Sequence, residues 1–128
     1  MQDDFDDWNN KKKEIQLDVP HPYFSEREIW FLHLGMNIGH EQNGKGLEFL
    51  RPVVVVREFN NSIFWAIPLT RTQKESPYYF LFSFGTGKSA AILSQMRLID
   101  ARRLSHKIGD MNIQDFNDLK QKLKALLP

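Results

Sequence analysis

The 128-residue sequence contains no cysteine. Disulfides, a thiol nucleophile and thiolate-ligated zinc are thereby excluded, while the compartment is left open. No apolar run approaches the ~20 residues of a membrane-spanning helix. The first ten residues carry four aspartates and no base, unlike the basic, apolar start of a secretory signal. A cytoplasmic protein without a membrane partner is therefore expected. Net charge is also small, at +1, but its distribution is uneven. Residues 40–107 hold ten Lys and Arg against five acids. Such a stretch either attracts a polyanion or simply solvates a surface. Internal repeats and low-complexity tracts are absent.

What is present fits one globular domain with a short appendage. Hydrophobic residues make up 41% and charged residues 26%. One modest core leaves little room for an internal cleft, so chemistry is expected on the surface or at a subunit boundary. Residues 3–16 have the makings of a short helix. Asp3 or Asp4 can cap it, Phe5 and Trp8 share a face, and Lys11–Lys13 suit its C-terminal end. Pro20 and Pro22 then interrupt regular structure. From Arg27 the texture is that of strands: residues 27–34, 52–59, 62–69 and 78–84 are rich in β-branched and aromatic side chains. Asn60-Asn61 predicts a two-residue hairpin turn, and residues 90–100 predict another short strand or two. Short strands at this spacing predict a small barrel or sandwich. A C-terminal helix follows, with Asn112 as N-cap and Asp115 in the acceptor position of a capping box. Its apolar stripe is Ile113, Phe116, Leu119, Leu123 and Leu126 or Leu127.

Most motifs of chemistry fail on inspection. GTGKSA at residues 85–90 is half a phosphate loop, but Phe82 stands where the first glycine belongs, and a β-turn is the simpler reading. His40-Glu41 begins a zinc-binding pattern whose second histidine position is Gly44. No metal site and no cofactor are expected. Nor does any serine sit in a nucleophile elbow. There remains the glycine-punctuated loop GHEQNGKGLEFL, which runs into Arg51, Pro52 and four valines. Arg51 stands at the start of a buried strand, so its backbone is fixed while its guanidinium reaches out as a planar fork for phosphate. Thr70 and Arg71 stand at the end of the third strand-like run. Two guanidiniums and a hydroxyl leaving neighbouring strand ends can surround one phosphodiester. Equally, Arg51 can solvate a strand entrance and Thr70 can cap one.

The pieces GHEQ (39–42), RPV (51–53), IPLT (67–70) and Q-x-R-x-I-D (95–100) stand in this order. Together they resemble the MazF/PemK/Kid toxins, the ribonuclease components of type II toxin–antitoxin systems. The resemblance covers residues 26–126 or so; it implies a toxin domain at 26–128 preceded by an extension at 1–25. The fold it implies is mainly β with α: a small SH3-like β-barrel of the CcdB/MazF/Kid type with a C-terminal helix, here with an N-terminal helical extension. The activity it implies is metal-independent, sequence-selective cleavage of single-stranded RNA, leaving a 2′,3′-cyclic phosphate and a 5′-hydroxyl. The implied partners are a cognate antitoxin that covers the RNA groove and a second copy of the chain in a homodimer.

Residue by residue, the family's loop glutamate falls on Glu41, its arginine before Pro-Val on Arg51, and its strand-end hydroxyl on Thr70. His40 matches a histidine that some members place before the glutamate. Such chemistry needs a base for the 2′-hydroxyl, a donor for the leaving oxygen and charge stabilisation at phosphorus. Arg51 is assigned to phosphate and transition-state stabilisation, since a guanidinium gives up its proton too reluctantly to be an easy base. Glu41 or His40 takes the proton and Thr70 donates to a non-bridging oxygen. Gln42, Lys45 and Arg71 are expected to bind RNA, and Phe49 to stack on a base. The sequence departs from the pattern in the long KGLEFL insert before Arg51 and in Ser94, where a subset of the family has a catalytic acid. These departures favour a rival, a barrel that holds RNA or protein without cutting. A second rival, a CcdB-like gyrase poison, needs an aromatic C-terminal tail, whereas this chain ends KALLP.

Overall fold

Two strands with nearly unbroken apolar runs organise the molecule. In the computed structural model, which describes residues 21–33 and 50–128, these are β2 (Leu50–Glu58) and β3 (Ile63–Thr70). Val53 to Val56 are all buried. A strand alternates its side chains, so four buried residues in a row require cover on both faces. Val54 and Val56 enter one core with Ile67, Leu69 and Phe82. Val53 and Val55 enter another with Trp30, Leu32, Phe64 and Ala66.

Around this pair are β1 (Glu28–His33), β4 (Tyr79–Phe84), β5 (Gly87–Ile92), β6 (Arg97–Asp100) and β7 (Leu104–Asp110). All described pairings are antiparallel. The strands run β4-β5-β3-β2-β1-β7, and β6 also pairs with β3. The outer edge of β3 therefore changes partner: Ala66 pairs with Arg97 of β6, and Leu69 pairs with Ala91 of β5. Pro68 falls at this change, where a missing N–H disrupts least. The ladder does not close into a full barrel, yet its ends approach each other. The Phe84 ring of β4 lies so close to Gly109 of β7 that an added Cβ would stand 2.6 Å from the ring. Glycine at 109 makes this approach possible, and the architecture is the barrel-like one expected.

The terminal helix α1 (Ile113–Lys124) buries Phe116 and Leu119 in the first core. Asn112 Oδ1 accepts from the N–H groups of Gln114 (2.8 Å) and Asp115 (3.2 Å). Asp115 thus gives its backbone N–H to the cap. Ile113 is exposed and leaves the buried stripe to Phe116, Leu119, Leu123 and Leu126. Lys122 ties α1 to the start of β4, its Nζ donating to the carbonyl of Tyr79 at 2.6 Å. Among the described residues no helix is long and apolar enough to cross a membrane.

Three other expectations meet the structure differently. The β2–β3 connection is four residues, Phe59 to Ser62, rather than two. There Asn60 Oδ1 accepts from Ser62 and Ile63 N–H, so the asparagine side chain builds the turn. The tight hairpin is at Gly85-Thr86, where Gly85 takes φ +63° and Phe84 pairs with Gly87. Strand β7 has no counterpart in the strands read from the sequence. The helix expected over residues 3–16 lies outside the described residues.

Candidate functional site

Leu50, Arg51 and Pro52 open β2. Arg51 pairs with Leu32 and Pro52 with Phe31 across β1, so the backbone is held on that side. Pairing with β3 begins only at Val53, opposite Pro68. Arg51 stands two residues before Val53 and Thr70 two residues after Pro68, so both lie at the same end of the β2–β3 ladder. Arg51 shares a strand face with Val53, and Thr70 shares one with Pro68 and Ala66. Thr70 Oγ1 accepts from the Thr72 N–H at 3.2 Å. That contact leaves its own O–H to serve as a donor.

On this face lies an open cleft of about 50 Å³. Its apolar floor is Leu32, Val53, Ala66, Pro68 and Ile99, and its polar groups are Arg51, Gln95 and Arg97. Arg97 is set by β6, in register with Ala66. Arg51 lies two strands away, on β2. Both side chains nevertheless line one cleft.

The local charge favours an anion. Among the described residues neither Arg51 nor Arg97 has an ion-pair partner. The acid closest in sequence to Arg97, Asp100, is held by Arg102 instead. Arg102 donates to it through Nε at 3.0 Å and through a terminal nitrogen at 2.9 Å. Those side-chain bonds hold the Asp100 carboxyl below its ordinary pKa. The carboxylate is therefore occupied, and the two cleft arginines stay uncompensated by it.

Of the residues expected from sequence, Arg51 lines the cleft. Thr70 stands one step beyond its floor, and Arg71 is exposed past the end of β3. His40, Glu41, Gln42, Lys45 and Phe49 lie outside the described residues. Gln95 and Arg97 were missed as site residues. The signal was present in the Q-x-R-x-I-D stretch, where Arg97 and Ile99 alternate onto one face of a strand.

A family model for the PemK-like, MazF-like toxins of type II toxin–antitoxin systems matches residues 25–127. The chain belongs to this toxin family. Solved toxins share its fold. MazF from Deinococcus radiodurans has a TM-score of 0.64 at 19% identity, covering 82% of this chain and 96% of that one. An endoribonuclease in complex with its cognate antitoxin, from a mycobacterial species, has a TM-score of 0.61 at 17% identity, covering 80% and 95%. The Mycobacterium tuberculosis toxin MazF-mt6 gives 0.59 at 14%, covering 77% and 94%. At such identities the structural likeness speaks for the toxin fold alone. No curated protein matches the chain.

Proposed function

We propose that this toxin is an endoribonuclease that cuts single-stranded RNA at selected sequences without a metal ion. The observation that carries the reading is the cleft itself. Two arginines without an ion-pair partner among the described residues flank an apolar floor on an open sheet face. Apolar surface suits unstacked bases and guanidinium forks suit the phosphates between them.

In the reaction, the 2′-oxygen of one ribose loses its proton and attacks the adjacent phosphorus. The P–O5′ bond breaks, and the leaving oxygen takes up a proton to become a 5′-hydroxyl. Negative charge grows on the non-bridging oxygens in between. Arg51 stabilises it from a backbone fixed by β1, and the Thr70 hydroxyl donates from the neighbouring strand end. Glu41 or His40 is assigned the 2′-hydroxyl proton, with Gln42, Lys45, Phe49 and Arg71 along the bound strand. The working unit is a homodimer of the toxin domain at residues 26–128, acting in the cytoplasm and restrained by an antitoxin seated over the groove. Membership of a toxin–antitoxin family supports the antitoxin partner.

The test is end-group analysis. Purified protein is incubated with a long single-stranded RNA in EDTA. Discrete fragments bearing 2′,3′-cyclic phosphate and 5′-hydroxyl ends are expected. Binding without fragments would identify a non-cutting RNA module instead, and 5′-phosphate ends would exclude attack by the 2′-hydroxyl.

A further inference from the structure

We infer that the cleft is a base-reading pocket, in which Gln95 recognises one unstacked base while Arg51 and Arg97 hold the backbone on either side. This deepens the ribonuclease reading and rests on it. Three features point to a planar base. The floor is wholly apolar, from Leu32, Val53, Ala66, Pro68 and Ile99. A lone phosphate gains nothing from such a floor, whereas a heterocycle covers it with one face. Among the described residues the polar groups are few and carry no acid: two guanidiniums and one carboxamide. A cationic ligand, or a peptide without carboxylates, would leave both guanidiniums unanswered. Finally, the carboxamide offers a donor and an acceptor side by side, the complement of an edge that presents an acceptor beside a donor. An unstacked, unpaired base offers such an edge, as adenine does through N6 and N7 or cytosine through N4 and N3, and Gln95 meets it in two bonds.

The fold presents Gln95 as a fixed reader. It closes a 3-10 turn at Leu93–Gln95, immediately before β6. Leu93 is buried in the first core and its N–H donates to the Tyr78 carbonyl at 2.8 Å. On the other side Met96 packs against the same core, and its N–H reaches the Leu93 carbonyl at 3.4 Å. Between these anchors Gln95 is exposed, and among the described residues its amide has no hydrogen-bond partner. A side chain on a tethered backbone with unused hydrogen-bonding groups loses little freedom when it pairs with a ligand. Arg97 follows two residues later from a position fixed opposite Ala66. One short segment thus supplies a base contact and a backbone contact in sequence.

The test uses the full chain and a single-stranded RNA pool with a randomised segment, sequencing the cut ends made by wild type, Gln95→Ala and Gln95→Glu. Wild type is expected to demand one particular base at one position of its site. A bidentate contact discriminates by roughly ten- to a hundredfold, and both variants should lose that preference while keeping the others and the wild-type melting temperature. An unchanged preference at every position, or an equal loss at all of them, overturns the assignment. Failure of the ribonuclease reading is distinguishable. If wild type cuts nothing, affinities for 2′-O-methyl homopolymers of each base, which lack the attacking hydroxyl, decide the pocket alone. A preference for one polymer that Gln95→Ala abolishes supports it, and a preference that the substitution leaves unchanged, or equal affinities in both proteins, overturn it.

Discussion

Arg51 and Arg97 as backbone contacts, and Gln95 as a base contact, make opposite predictions for salt. Each phosphate neutralised on a single strand releases condensed counterions, lowering the slope of log K against log salt by about 0.7. Two arginines in the cleft therefore contribute about −1.4, which weakens binding about sevenfold between 50 and 200 mM salt, or about 2.6-fold for each arginine. Arg97→Ala should flatten the slope by about 0.7, Arg51→Ala by the same, and the double variant by about 1.4. Gln95→Ala should weaken binding to a strand carrying the recognised base and leave the slope as it is, because a carboxamide displaces no counterion. Fluorescence polarisation with a labelled 2′-O-methyl RNA, titrated at four or five salt concentrations, reads these slopes without cleavage. If the arginine variants keep the wild-type slope, their guanidiniums do not face phosphate. If Gln95→Ala changes it, the division between backbone and base contacts is wrong.

Two further predictions concern the frame that holds the cleft. Asn112→Ala removes the acceptor of two helix N–H groups and should cost about 1 kcal/mol in urea unfolding, with Asn112→Ser recovering most of it. Gly109→Val places side-chain atoms in the space of the Phe84 ring and should cost about 1–3 kcal/mol by overpacking. Adding Phe84→Ala to that variant should cost less than the two single changes predict, since the neighbours couple. Strict additivity would show that the β4 and β7 ends do not meet through this contact.

Long hydrophobic signals were legible in the sequence, and quieter ones were not. REIWFLHL, PVVVV, FWAIPL and YYFLF each mark a strand because their side chains fill the two cores. Strand β7 was hidden because it is a sheet edge: after Leu104 its residues are mostly exposed and polar. No apolar alternation then distinguishes it from a loop. Likewise Asn60-Asn61 carried a turn signal of the right kind and the wrong length, since the Asn60 side chain closes a longer turn than backbone bonds alone would. Arg51 could be singled out because a charge stood against a run of valines. Gln95 and Arg97 could not, because their meaning lies in pairing: only the alignment of β6 with β3 brings them over a floor built from four strands. A residue's distance along the chain says nothing about that proximity, which is set by the register.

The most direct measurement is the single-turnover cleavage rate of Arg51→Ala on a defined RNA, in EDTA, beside wild type. A guanidinium that stabilises charge on the reacting phosphate should, when removed, slow the chemical step by about a hundred- to a thousandfold, with the same cut positions and a melting temperature close to wild type. A variant that cuts at the wild-type rate would contradict the role given to Arg51 and, with it, the cleft as the place where RNA is broken.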